Sequence, residues 1–177
     1  MQITVENIIN GLKNTHWPYR MQIITSGKVF SCLPKNSIFY IDGAHNISAA
    51  KVLADFFKSE KEKDGIANFI INGRTKDTDS HGFLTQFIGA IDMLVAVWVK
   101  MEALPENPIK IAAAAKEVGL KCEIAPSLLD AVKIISCVAN NIDISAADTC
   151  NTADLDLPVR ICICGSFYLA RDLKLEN

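Results

Sequence analysis

The sequence has neither a G-x-x-x-x-G-K-[ST] loop nor a G-x-G-x-x-G turn, so it carries no nucleotide cradle of its own. It has no C-x-x-C pair either. Of the cysteines, Cys162 and Cys164 lie on one side of an apolar strand-like run, and Cys137 lies in a helical pattern. Cys32, Cys122 and Cys150 are scattered singly. That spread argues against a disulfide framework or a zinc site and indicates reduced, mostly structural thiols. No sign of charge is in excess: 18 Lys and Arg stand against 20 Asp and Glu. The electrostatic footprint of a nucleic-acid binder is therefore missing, as is a like-charged disordered tail. No apolar run approaches the length of a bilayer span, and the first residues are amphipathic rather than signal-like. No membrane association and a cytoplasmic location are expected. Repeats and low-complexity tracts are also absent.

What is present is a chain of 177 residues, half of them hydrophobic, enough to bury the core of one domain with an additional arm. Its centre is the stretch Asp42-Gly43-Ala44-His45-Asn46. An apolar run precedes it at 38–41, and a helical pattern on Ala49, Ala50, Val52, Leu53, Phe56 and Phe57 follows. That order spells strand, tight turn and helix, with the solvated end of the helix at 58–64.

Upstream, Val5, Ile8, Ile9 and Leu12 form one helical face, capped by Thr4, and Pro18 stops that helix. Strands are expected at 22–25 and 28–32, joined as a hairpin at Ser26-Gly27. Downstream, strands are expected at 66–72, 91–99, 121–125 and 159–164. Helices are expected at 80–88, 109–118 and 127–138 and after Gly165-Ser166, with a polar surface loop at 140–158. Strands alternating with helices at this spacing indicate a doubly wound α/β domain. Its sheet should be largely parallel (mixed), with helices on both faces.

In a parallel sheet, the turns at 42–46, 73–79 and 165–166 share one edge, where ligands bind such folds. Gly165-Ser166 offers backbone amides and a hydroxyl at a helix start, a seat for carboxylate or phosphate. Arg20, just after Pro18, is a planar cation suited to phosphate. Taken singly, Asp42 and Asn46 read as turn and cap residues, His45 as a half-exposed bystander, Ser166 as a plain N-cap and Arg20 as a solvated cation.

Four segments occur in order: W-P-Y-R-M-Q, Y-I-D-G-A-H-N-I-S-A-A, G-R-T-K-D and I-C-G-S-F-Y-L-A. Together they resemble the carboxyl-terminal domain of the folylpolyglutamate synthase and dihydrofolate synthase family, in the Mur ligase superfamily. The family patterns are close to W-P-G-R-x-Q, D-G-A-H-N-P, a glycine turn leading to K-D, and G-S-x-x. The resemblance implies a Rossmann-like Mur ligase carboxyl-terminal domain. The whole ligase would add glutamate to folate or dihydropteroate through an acyl phosphate, with ATP and Mg²⁺ held mainly by an amino-terminal P-loop domain.

Carried over by position, Arg20, Asp42 and His45 would face ATP, Ser166 with His45 would face glutamate, and Lys76 and Asp77 would form a cleft loop. No metal ligand is implied in this chain. Residues 1–20 would be a connector from the amino-terminal domain, and 21–177 the glutamate-side domain. The chain is then expected to be a fragment or one chain of a split ligase, inactive alone. The rival readings are a non-catalytic remnant of the same fold and another Mur-type amino-acid ligase. Tyr19 and Ile47 depart from the family glycine and proline at their positions. The apolar stripe at Val5, Ile8, Ile9 and Leu12 is expected to fold back on the sheet, pair with another copy, or fray.

Overall fold

Near-continuous apolar runs in the central strands demand cover on both sides, and the helices supply it. The computed structural model describes residues 3–15, 17–100 and 102–176. Met1, Gln2 and His16 of the expected connector lie outside the described residues. In chain order the elements are α1 (Val5–Asn14), β1 (Gln22–Ile23), β2 (Ile38–Ile41), α2 (Ile47–Asp64), β3 (Ala67–Asn72), α3 (Ser80–Thr85) and β4 (Met93–Val97). There follow α4 (Pro108–Glu117), β5 (Cys122–Ala125), α5 (Leu128–Ala139), β6 (Val159–Cys164) and α6 (Leu169–Glu176).

The sheet order is β1-β2-β6-β3-β4-β5. All neighbours pair in parallel except β1, which runs antiparallel to β2. Phe39, Phe69, Ile71, Val95, Ile161 and Ile163 point to the side covered by α5 and α6. Tyr40, Ile70, Leu94, Ala96, Cys162 and Cys164 point to the side covered by α2, α3 and α4. The doubly wound, largely parallel sheet expected from the sequence is what the chain adopts. The six cysteines are all free. Burial pushes the Cys162 thiol far up and the Cys122 thiol up to about 12, as suits structural rather than reactive sulfur.

The helix starts follow local chemistry. Asn46 accepts from the Ala49 amide, Asp79 from Gly82 and Ser127 from Asp130. Gly65 ends α2 in a left-handed conformation.

Two expectations need correction, and one of the alternatives for α1 falls away. The hairpin of 22–25 with 28–32 does not form: β1 pairs with β2 instead, and Phe30–Cys32 is a 3₁₀ turn. Val29 and Leu33 on either side of that turn are buried in the core, which removes the alternation a strand would need. The 140–158 segment is only partly a surface loop. It holds two 3₁₀ turns, buries Ala147, and ties Thr152 Oγ1 to the Cys32 carbonyl. Finally, α1 does not fold back on the sheet. Thr4 and Asn7 form a reciprocal capping box, yet none of its residues is buried, and Val5 and Leu12 remain 73% and 71% exposed.

At the amino ends of β6 and β3, away from the turns discussed below, Arg160 is fully buried. Its Nη1 donates to Asn68 Oδ1 at 3.0 Å, and Nη2 pairs with Asp64. The Ile66 amide and then Arg160 hold the Asp64 carboxyl below the usual carboxylate range. A carboxylate depressed by folding stabilises the native state above its unfolded pKa, and that share is lost as pH falls through the folded value. Asp64→Asn is therefore expected to flatten the acid limb of the stability–pH curve. Urea midpoints between pH 3 and 7 test this, and parallel curves for the two proteins would rule it out.

Candidate functional site

The carboxyl ends of β2, β6 and β3 lie side by side, so the turns that follow them meet at one edge. Backbone bonds stitch them together. The Asp42 amide donates to Ile163 O at 2.9 Å, the Gly165 amide to Ala44 O at 2.7 Å, and Asn72 Nδ2 to Cys164 O at 3.0 Å. Gly165 sits at φ 110°, and a β-carbon there would come within 2.4 Å of the Gly73 carbonyl oxygen. Only glycine fits this junction.

The segment after Pro18 docks on the same edge. Gly43 donates to Tyr19 O at 2.8 Å, and Asp42 Oδ2 accepts from the Met21 amide at 2.8 Å. The other Asp42 oxygen accepts from the Ala44 amide at 2.8 Å, so the carboxylate holds both its own turn and the Arg20 segment. Each oxygen keeps a second lone pair for a ligand hydroxyl. Tyr19 and Met21 adopt φ 59° and 44° on either side of Arg20. The left-handed backbone at residue 19 accounts for the glycine of the related W-P-G-R pattern, which meets this conformation without strain.

Arg20 lies over the Phe167 ring at 4.9 Å, and the His45 ring packs tilted against the same Phe167 ring with centroids 6.0 Å apart. His45 Nδ1 lies 2.8 Å from Gly43 O. A carbonyl only accepts, so Nδ1 carries the proton of the neutral ring and Nε2 is left to act as acceptor. Ser166 is buried, and its Oγ accepts from the Tyr168 amide at 3.2 Å. Its hydroxyl proton remains available to an acceptor.

Arg20, Asp42, His45 and Ser166 are thus brought to one edge. Lys76 and Asp77 follow β3 on that same edge but are exposed, with Asp77 at φ 62° and the Lys76 amide bonded to Leu104 O.

Sequence reasoning missed Arg74. A cleft of about 550 Å³ opens beside His45 and is lined by Arg74, Thr78 and Asp79 from the β3–α3 loop rather than by Lys76 and Asp77. Arg74 is 1% exposed and stacks on Phe83 at 4.2 Å. Its Nε donates to Thr78 Oγ1 at 3.1 Å, and Nη2 reaches the His45 and Asp79 carbonyls at 3.4 Å each. Burial holds its pKa below the ordinary arginine value, against the opposing influence of Cys164, Asp79 and Glu106. An arginine in a polar loop carries no periodic signal that would announce burial. Among the described residues no group of three or more His, Cys, Asp or Glu is placed to hold a metal, and no helix is long and apolar enough to cross a membrane.

No curated protein matches the chain. Solved structures do. Folylpolyglutamate synthase of Mycobacterium tuberculosis, complexed with ADP and AMPPCP, aligns with TM-score 0.69 at 18% identity, over 98% of this chain and 35% of that one. E. coli FolC, in complex with DHPP and ADP, aligns with TM-score 0.65 at 16% identity, over 99% and 35%. The Yersinia pestis bifunctional folylpolyglutamate synthase/dihydrofolate synthase, with Mn, AMPPNP and L-glutamate bound, aligns with TM-score 0.60 at 18% identity, over 95% and 33%. The chain therefore spans about a third of these proteins, and at such identities the likeness establishes the fold. The sequence goes further: residues 28–176 match the model of the dihydrofolate synthetase C-terminal domain. By that match this chain belongs to the dihydrofolate synthetase C-terminal domain family.

Proposed function

We propose that the chain is the carboxyl-terminal, glutamate-side part of an ATP-dependent amide ligase that joins glutamate to folate or dihydropteroate through an acyl phosphate. The observation that carries this reading is the gathering of Arg20, Asp42, His45 and Ser166 on one sheet edge, from segments up to 146 residues apart in a chain of 177. The nucleotide and L-glutamate complexes described for proteins of this fold support it.

In this reading Arg20, steadied by Phe167, faces the phosphates, and the free lone pairs of Asp42 accept from the ribose. His45 lies between nucleotide and glutamate, and Ser166 donates to a glutamate oxygen. Lys76 and Asp77 sit on the exposed loop that borders the cleft. ATP supplies the phosphoryl group that activates the acceptor carboxyl. By the family resemblance, Mg²⁺ is held mainly by a P-loop domain in the same protein or a partner chain. Residues 1–20 are the connector to that domain, and the uncovered stripe of α1 is the face that meets it. No nucleic-acid or membrane partner enters the scheme, and the expected compartment is the cytoplasm.

The test uses ADP release that depends on both folate and glutamate. The pure chain is expected to give none with Mg²⁺-ATP, and addition of a P-loop domain of the same ligase family is expected to start it. Turnover by the pure chain, or no ligation from the mixture while the P-loop domain binds ATP, would sink the reading.

A further inference from the structure

β5 ends the sheet, and no strand lies along its outer edge among the described residues. The Leu94 amide donates to Lys121 O at 2.9 Å, and the parallel register sets Leu94 against Cys122 and Ala96 against Ile124. In such a ladder only alternate residues of a strand turn their backbone groups to a given neighbour. Lys121, Glu123 and Ala125 therefore address β4, and the N–H and C=O groups of Cys122 and Ile124 face outward. An open row of this kind is a template for another strand.

Side chains alternate over the same residues. Cys122 packs into the layer beneath α2, α3 and α4, and Ala125 into the core on the α5 side. Lys121 and Glu123, both exposed, stand on the α5 side, and Ile124, 44% exposed, stands on the other. Charges of one sign would guard such an edge. Here the signs are opposite, two residues apart on one face, and that pattern complements itself when the strand meets its own copy antiparallel.

We propose that β5 pairs antiparallel with β5 of a second copy of this chain, about a two-fold axis at Cys122, joining the two sheets into one. Cys122 then exchanges both backbone hydrogen bonds with Cys122 of the second copy. Lys121 lies opposite Glu123 of the second copy, and by symmetry the reverse, at the non-hydrogen-bonded positions where side chains come closest. Ile124 comes opposite Leu120 of the second copy, which covers apolar surface on the other face.

Neighbouring registers fail on chemistry. Centring on Lys121 or on Glu123 sets like charges face to face, and centring on Ile124 sets Cys122 against Pro126, which has no N–H to give. β1 and β2 lie toward the opposite end of the sheet, so the pairing leaves the Asp42 turn and the Arg20 segment open. An edge of four residues buries little area, so the dimer is reversible, with an affinity in the micromolar range.

Sedimentation equilibrium of the full chain, loaded from micromolar to millimolar with reductant present, measures the association. The wild type is expected to follow a monomer–dimer equilibrium. Lys121→Glu and Glu123→Lys should each weaken the dimer about tenfold or more, because each turns both cross-strand attractions into repulsions. Both side chains are exposed, so the melting temperature of either variant, taken where the chain is monomeric, should match wild type. The double variant Lys121→Glu, Glu123→Lys should regain wild-type association, and an equimolar mixture of the two single variants should form a mixed dimer.

A wild type that stays monomeric throughout, or single variants that associate as the wild type does, would overturn the pairing. So would a double variant or a mixture without recovery. Species beyond the dimer would also overturn it, since growth past two copies needs a second, different edge such as β1.

Discussion

Gly165→Ala is expected to lower the stability of the chain by about 3 kcal/mol or more and its melting temperature by roughly 6–12 °C. Two costs combine. At φ 110° an L-residue is strained by about 1–2 kcal/mol. The new β-carbon would also sit 2.4 Å from the Gly73 carbonyl and 2.5 Å from Asn72 Nδ2. Neither neighbour gives way easily: one is backbone, and the other is tied to Cys164 O. Gly119→Ala is the control. Its φ is 81°, but nothing lies within 4 Å of the added carbon, so only the conformational cost of about 1 kcal/mol applies. Thermal and urea unfolding of both variants decide the matter. Equal losses would mean that the junction of the three turns is not sterically locked.

That junction also shows what a sequence reveals and what it withholds. Asp42, His45 and Ser166 were visible because each stands in a turn directly after a short buried run, and parallel topology then places such turns together. The buried runs of β3 and β6 were visible for the same local reason. Segments whose partner is chosen by tertiary packing were not. Residues 22 and 23 pair with β2 rather than with the neighbouring 28–32, because Val29 and Leu33 are drawn into the core as a 3₁₀ turn. Arg74 is hidden in a polar loop, and its burial depends on Phe83 and the His45 carbonyl, which the fold alone brings near. Lys76 and Asp77 look like the chemistry of that loop, but Thr78 and Asp79 are the residues lining the cleft with Arg74. The resemblance to K-D points to this loop while leaving open which of its side chains face inward.

Asp42→Ala is the second large effect expected, and it separates a clamp from a contact residue. The carboxylate accepts from the Met21 and Ala44 amides at 2.8 Å each and is buried. Hydrogen bonds to a charged group contribute about 1.5–3 kcal/mol each, and water can replace part of the loss at the half-buried Met21 amide. A loss of about 2–4 kcal/mol follows. Asp42→Asn should fall between, since its amide nitrogen would face another N–H and only one bond survives.

Hydrogen exchange at residues 19–22 should rise in step, because the left-handed backbone at Tyr19 and Met21 persists only while the clamp holds it. Arg20 would then lose its place over Phe167. Under the proposed ligase reading, misplacing that cation in an enzyme reconstituted with a P-loop domain should reduce kcat/KM for ATP on the order of 10²-fold. Arg20→Ala is the comparison: a similar kinetic loss is expected, but with a melting temperature near wild type because the side chain is exposed. If Asp42→Ala instead keeps its melting temperature within about 1 °C and its exchange pattern unchanged, the two amide bonds do not hold the segment. Any kinetic loss in that variant would then have to come from direct contact between Asp42 and the nucleotide.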